Sequence, residues 1–274
     1  MDKNLNMNSK FTVVISTYSK ESPKNLHLSL KSIFRNSLKP NEVILVKDGS
    51  LTSELDKIIK NFQNIHQNLK VYALERNRGS AIAINFAISK STNNWIIKHD
   101  SDDFSYKNRF ERLMSSTTND PCFFGSYMIE RKGRIRRVKK VPLAPELIKK
   151  SIIYRNPFNN PTMCFHKNIY LNSSGYPDIK YKEDWAFWIK NVKKFNSFNL
   201  GEILVTSIDS SQMIERRRGV VNIYSEFFIQ KLCNQENLSN LWKSILIYII
   251  RVGLLLLPTN TLDKIYFYFL RSNK

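Results

Sequence analysis

Between residues 11 and 98 the apolar and polar positions fall into blocks with a regular order. Runs rich in β-branched and apolar residues occupy 11–16, 42–47, 69–74 and 95–98, the pattern of strands buried on both faces. Between them, apolar side chains recur at helical spacing. Leu26, Leu30, Ile33 and Phe34 mark a helix over 25–36, and Leu55, Ile58, Ile59 and Phe62 one over 52–64. A segment rich in Ala and Ile marks a third over 80–90. Four strands alternating with three helices predict a parallel sheet built from right-handed βαβ units.

Downstream the pattern loosens. It predicts a helix over 105–118, with Phe110, Leu113 and Met114 inward and Asp103 or Ser105 at its cap. A strand over 122–129 follows, then a basic hairpin over 130–140 turning near Lys132-Gly133. A short helix over 143–154, an extended segment over 156–167 and a turn at Gly175-Tyr176-Pro177 come next. Another helix opens at 181, and a last short strand covers 200–206. The 212–219 segment is a basic loop containing Arg216, Arg217 and Arg218, and 222–234 is an amphipathic helix.

The segment 241–258 is markedly apolar, but Lys243 and Arg251 interrupt it. No charge-free stretch reaches the length a spanning helix needs. With Lys264, Arg271, Lys274 and the aromatic residues 266–269, it reads as an in-plane interfacial element rather than a helix closing the core.

Chemistry concentrates at the strand ends. Thr17/Tyr18, Asp48/Gly49, Asn77/Gly79 and Asp100/Asp102 each follow a strand, so all four fall on the carboxyl edge of the sheet, where open α/β sheets bind ligands. The layout is that of a nucleotide-binding half-domain lacking both Gly-x-Gly-x-x-Gly and a Walker A loop. Asp100, Asp102 and Asp103 crowd three carboxylates into four positions, which is costly unless a cation or strong donors compensate. Hard divalent cations favour such oxygen ligands together with phosphate oxygens. Glu183 and Asp184 fall in the first turn of an aromatic-rich helix, where the dipole favours negative charge. Packing against Trp185, Phe187 and Trp188 would raise a carboxylate toward the range of a general base.

The formal charge of +20, from 43 Lys and Arg against 23 Asp and Glu, favours a polyanionic partner: nucleic acid, anionic lipid or a phosphorylated substrate. No nucleic-acid recognition motif accompanies it, so nucleic acid is not expected as a partner, and a basic nucleic-acid-binding protein stands only as the alternative from a different class. Cys122, Cys164 and Cys233 lack metal-ligand spacing and read as reduced thiols in a cytosolic setting. The polar first ten residues carry no signal-peptide pattern.

Together these residues resemble the family 2 glycosyltransferases of GT-A fold. The resemblance covers about 11–220 and rests on Ser16-Thr17-Tyr18, Val46-Lys47-Asp48-Gly49-Ser50, Asn77-Arg78-Gly79 with Asn85, Asp100-Ser101-Asp102-Asp103 and Glu183-Asp184. The segment 156–167, the Arg217-Arg218-Gly219 loop and the Leu257-Pro258 tail resemble the branch that builds bacterial O-antigen and exopolysaccharide repeat units. Where the family has Asp-Asp-Gly-Ser after the second strand, Lys47 replaces the first Asp.

The resemblance implies a GT-A domain over 1–220, with a nucleotide-binding half at about 11–104 and an acceptor half at about 105–220. Residues 221–274 would form a helical, interfacial segment. It implies that Thr17, Tyr18, Asp48, Ser50, Arg76, Asn77 and Gly79 hold the nucleotide of a UDP-sugar. Asp100 would orient the donor, Asp102 (with Asp100 beside it) would bind Mg²⁺ or Mn²⁺, and Arg216, Arg217 and Arg218 would meet the diphosphate. Asp184 would be the general base, with Glu183 as the second candidate, and His166 a secondary group near the metal. The acceptor would be a saccharide on a polyprenyl diphosphate, reached from the inner face of the bacterial cytoplasmic membrane. A nucleotidyltransferase is the alternative enzyme class, and it would carry a glycine-rich basic loop directly after the first strand. Ser16-Thr17-Tyr18-Ser19-Lys20 is not such a loop.

Overall fold

The computed structural model describes residues 10–133, 135–207 and 220–257. In chain order, β1 (Phe11–Thr17), α1 (Pro23–Phe34), β2 (Glu42–Lys47), α2 (Ser53–Ile65), β3 (Leu69–Ala73), α3 (Ser80–Lys90) and β4 (Trp95–Lys98) build the first half. The second half contains β5 (Asp103–Ser105), α4 (Arg109–Met114), β6 (Cys122–Lys132), β7 (Ile135–Lys139), α5 (Pro145–Ser151), β8 (Cys164–His166), α6 (Lys167–Ser173), α7 (Glu183–Asn191) and β9 (Asn196–Ser207). Two helices follow, α8 (Val220–Gln235) and α9 (Leu241–Leu255).

All of these strands share one sheet, ordered β3-β2-β1-β4-β8-β6-β9-β5, with β7 added to β6. The first four are parallel, with Val13 opposite both Val43 and Ile97. β8 runs antiparallel between β4 and β6, and β5 antiparallel beside β9. The basic hairpin forms as expected from β6 and β7, with Lys132 opposite Ile135.

Side-chain alternation along the strands sorts the core into two layers. Val13, Ile15, Val43 and Leu45 point to the face covered by Leu26, Leu30, Leu55, Ile59 and Phe110. Val14, Ile44 and Ile96 point to the other, covered by Ala83, Ile84, Phe187 and Trp188. These side chains are fully or almost fully buried, and each Val, Leu, Ile and Phe among them stabilises the fold by about 1.5–3 kcal/mol. Helix starts follow local chemistry: the Ser22 side chain caps α1 before Pro23, and the Thr52 hydroxyl accepts from the Leu55 N–H at 3.4 Å.

Three expectations need correction. The helix expected over 105–118 is confined to α4, and Asp103–Ser105 is a strand paired with Ser207–Val205. Neither Asp103 nor Ser105 caps α4, which Asn108 precedes. A long-range pairing partner decided this, and local pattern does not reveal one. The short last strand is twelve residues long, Asn196–Ser207, and shifts register against β6 near Ser126-Tyr127. Finally, α6 occupies a stretch in which the spacing predicted no helix. The three cysteines are buried and unpaired.

Candidate active site

Because β1 to β4 are parallel, their carboxyl ends lie along one edge and bring the four polar loops together. The loops are fastened to each other. The Asp48 carboxylate accepts from the backbone N–H groups of Arg78, at 2.7 Å, and Gly79, at 3.0 Å. Gly49 allows this approach: its φ is 84°, and a Cβ there would come within 2.7 Å of the Asn77 nitrogen. Asp48 is buried and committed to the loop, so it fixes the backbone that carries Arg76, Asn77 and Gly79. Ser50, Arg76 and Asn77 are exposed on this rim. Lys47, standing where the family carries an acid, pairs with Asp56 of α2 at 2.7 Å. Thr17 is buried and its hydroxyl has no partner, an orphaned polar atom at the end of β1. Tyr18 is partly buried beside it.

The carboxylates after β4 form the charged floor. Ligand oxygens of Asp100, Asp102 and Asp103 lie within 4.8 Å of one another. Burial, reinforced by Asp100 and by Glu21 from the loop after β1, pushes Asp102 up to about 7. Burial and the neighbouring Asp102 and Asp100 push Asp103 well above the usual carboxylate range. Glu21 is held in place by Ser101, whose hydroxyl donates to it at 2.6 Å. Three crowded oxygen donors, with Asp102 and Asp103 resisting ionisation when no cation is bound, fit a hard divalent cation such as Mg²⁺ or Mn²⁺. Asp102 and Asp100 are the more open of the three, and Asp103 is buried at the start of β5.

Beneath this floor lies a cation that periodicity alone does not single out. Lys98, the last residue of β4, is buried, and its ammonium pairs with Asp100. Burial works against its charge, yet attraction to Asp100, and further to Asp184 and Glu183, holds its pKa above the ordinary lysine value. One ammonium is thereby coupled to both acidic groups of the site. Arg109 of α4 supports the same turn, donating to the Lys98 carbonyl at 2.7 Å and the Pro161 carbonyl at 2.6 Å. Its guanidinium also lies 2.8 Å from His99 Nδ1, so that nitrogen accepts and the imidazole is neutral.

The second acidic group sits in the first turn of α7. Burial, with Asp184 adjacent, raises Glu183 to about 7, and burial likewise raises Asp184. Asn156 orients Asp184, donating from Nδ2 to Oδ2 at 2.7 Å. The helix is held by its aromatic side chains: Trp185 donates to the Ile152 carbonyl at 2.7 Å, and Phe187 stacks on Tyr176 at 4.3 Å. Tyr176 is itself buried with an unpartnered hydroxyl, and it feels the charges of Asp184, Asp100 and Glu183. Asn85 clamps its backbone, accepting from its N–H at 2.9 Å and donating to its carbonyl at 2.8 Å.

His166 is not near the cluster. β8 runs antiparallel to β4, so His166 lies opposite Trp95 at the amino end of β4. Its imidazole caps α6 by accepting from the Asn168 N–H at 3.3 Å. Arg216, Arg217 and Arg218 lie outside the described residues, as do the residues beyond Leu257.

Residues 12–176 match the model of the glycosyl transferase family 2 domain. The chain belongs to this family. It is 33% identical over 263 residues to the UDP-Gal:alpha-D-GlcNAc-diphosphoundecaprenol beta-1,3-galactosyltransferase of Escherichia coli, covering 94% of this chain and 95% of that one. It is 29% identical over 261 residues to the amylovoran biosynthesis glycosyltransferase AmsE of Erwinia amylovora, covering 93% and 97%. Among solved structures it resembles S. aureus TarS 1-349 in complex with UDP-GlcNAc, with a TM-score of 0.66 at 21% identity, over 82% of this chain and 66% of that one. It spans less than two thirds of other TarS chains, 65% and 43%. This family 2 glycosyltransferase therefore has the GT-A fold, and it groups with enzymes named for bacterial surface polysaccharide synthesis. The family answers the nucleotidyltransferase alternative.

Lys98, Asn156 and Tyr176 are the site residues that spacing did not reveal. A lysine closing a buried strand directly before a carboxylate cluster was the available signal for Lys98.

Proposed function

We propose that this glycosyltransferase moves a sugar from a UDP-sugar to a saccharide carried on a polyprenyl diphosphate, inverting the anomeric carbon to give a β-linkage. The proposed donor sugar is glucose, galactose or an N-acetylhexosamine. The observation that carries the reading is Lys98, which couples the carboxylate cluster after β4 to the Glu183-Asp184 turn. A donor-orienting group and a base must flank one reacting carbon, and a cation that attracts both acidic groups supports reading them as one electrostatic unit. The E. coli relative, whose name specifies a UDP-Gal donor and a diphosphoundecaprenol-linked acceptor, supports the substrate classes.

In this scheme Thr17, Tyr18 and the loop organised by Asp48 receive the nucleoside, while Ser50, Arg76, Asn77 and Gly79 line its rim. Asp100 orients the donor against the buried Lys98. Asp102, with Asp100, would hold Mg²⁺ or Mn²⁺, which when bound offsets charge on the diphosphate. Arg216, Arg217 and Arg218 are assigned to the same diphosphate from sequence alone. Asp184, aimed by Asn156, removes the proton from the attacking acceptor hydroxyl, with Glu183 sharing the charge. The bond from C1 to the acceptor oxygen forms as the bond from C1 to the diphosphate oxygen breaks, so UDP leaves with the electron pair. Dry, aromatic packing behind Asp184 keeps its carboxylate basic enough to accept that proton.

The working location is the inner face of the bacterial cytoplasmic membrane, where a polyprenyl-linked acceptor is presented. The test is nucleotide release from a panel of nucleotide sugars, with and without Mg²⁺ or Mn²⁺ and with and without a synthetic lipid-diphosphate acceptor. Metal-dependent release of UDP with one donor supports the reading. Release that occurs only from non-uridine donors, or that ignores the acceptor, refutes it.

A further inference from the structure

The most exposed apolar surface among the described residues belongs to α9. Leu241, Trp242, Ile245, Leu246, Ile249 and Ile250 are 41–80% exposed, whereas Ser244 and Ile247 face the protein. The exposed side chains form one helical stripe, broader than a helix packed in a core displays. No helix among the described residues is long and apolar enough to cross a membrane. The fifteen residues of α9 extend roughly 22 Å, against a hydrocarbon core of about 30 Å.

A basic groove adjoins this stripe. Lys140, Leu147, Lys150 and Arg155 line an open depression of about 490 Å³. Tyr154 connects the two: its ring lies 5.3 Å from the Lys243 ammonium, and its carbonyl accepts from Arg251. Among the described residues, the side chains of Lys140, Lys150 and Arg155 make no ion pair, so their charge faces outward.

The stripe is rigidly joined to the proposed base. Arg251 of α9 forks onto the buried Glu226 of α8 at 2.6 and 2.7 Å. Glu226 also receives the Lys182 ammonium at 3.0 Å, and Lys182 directly precedes α7. Arg251 lies over the Trp185 ring at 4.8 Å. Burial opposes charge on Glu226, but Arg251 and Lys182 hold its carboxyl below the ordinary range.

We propose that the outward face of α9 and the Lys140–Arg155 groove together seat the protein on an anionic bilayer, with α9 in the plane of the headgroups. Charge complementarity selects that occupant: a wide apolar stripe beside unpaired cations suits lipid tails beside phosphate headgroups. The Arg251–Glu226–Lys182 ion network then fixes the height of Asp184 above the membrane. The proposal rests on the lipid-linked acceptor of the preceding section.

The experiment is vesicle flotation with the full-length protein, using phosphatidylcholine vesicles with or without phosphatidylglycerol. The wild type should bind the anionic vesicles and release as salt rises. Trp242→Ser/Ile249→Ser should weaken that binding by about tenfold or more. Lys150→Glu/Arg155→Glu should abolish the preference for phosphatidylglycerol, by about fivefold per charge. Both variants replace exposed side chains, so they should keep the wild-type melting temperature and the wild-type rate on a short, water-soluble acceptor. Failure of the wild type to bind anionic vesicles overturns the proposal, as does binding that neither variant weakens. It is also overturned if the α9 variant instead splits a dimer in sedimentation velocity, because a second copy would then occupy the stripe. Vesicle binding needs no turnover, so intact binding without sugar transfer would support the surface and count only against the proposed reaction.

Discussion

The Lys98 ammonium meets the Asp100 carboxylate beneath the floor of the site, and the same ammonium is coupled to Glu183 and Asp184. A buried cation attracted to two acidic groups helps both carry charge in surroundings whose burial otherwise penalises it. Replacing it without replacing its partners leaves buried carboxylates uncompensated. Lys98→Met should therefore move the rising limb of the pH–rate profile upward by about one unit and slow transfer at neutral pH. Lys98→Arg, which keeps the charge, should recover part of the rate. Profiles of kcat for the three proteins decide this, and an unmoved limb in Lys98→Met would remove Lys98 from the site.

Asp184 and Glu183 titrate as a pair, and burial raises both, Glu183 to about 7. A base must be ionised to accept a proton, so sugar transfer should rise with pH to a plateau, with the rise lying above the usual carboxylate range. Asp184→Asn should lower kcat by about 10²–10⁴-fold with little change in donor KM, and Glu183→Gln by less. Equal losses in the two variants would contradict the assignment of Asp184, which alone has Asn156 to aim it.

The carboxylate cluster also predicts how stability depends on pH. Asp102, Asp103, Glu183 and Asp184 all have folded-state values above those of an unfolded chain. Groups raised in this way favour the folded state at low pH, and that contribution is lost as pH rises through their folded values. The metal-free protein should lose stability as pH rises from about 4 to about 7, the span between the ordinary carboxylate values and the raised values of Asp102 and Glu183. Glu226, held below its ordinary value, acts only at lower pH. Mg²⁺ or Mn²⁺ should restore the melting temperature, most strongly near the alkaline end, through mass action on ionised carboxylates. In Asp102→Asn both the pH slope and the metal response should shrink, as read by thermal unfolding with and without chelator.

Gly175 presents a purely geometric case. Its φ is 75°, and an added Cβ would meet Asn85 Oδ1 and the Tyr170 ring, each at 2.6 Å. Gly175→Ala should destabilise the fold by about 1–3 kcal/mol and loosen the Asn85 clamp on Tyr176. Chemical denaturation measures the first effect. A rise in KM for the donor larger than in Asn85→Asp would tie Tyr176 to donor binding.

The sequence by itself determined the parallel half of the sheet, because fully buried β-branched runs separated by amphipathic helices admit few other arrangements. It also determined that Thr17, Asp48, Asn77 and Asp100 share an edge, since parallel strands put all their carboxyl ends on one side. The resemblance in those loops was enough to indicate the family. Only the tertiary structure decided what pairs across long separations. It turned Asp103–Ser105 into a strand on β9, placed His166 at the wrong end of β4 for metal binding, and committed Asp48 to the backbone of Arg78 and Gly79. It also coupled Lys98 to Asp100 and to Glu183 and Asp184, which lie 83 and 84 residues beyond Asp100 in the chain. Periodicity records which face a side chain occupies. It carries no information about which distant charge lies across that face, and in a buried site that charge sets the chemistry.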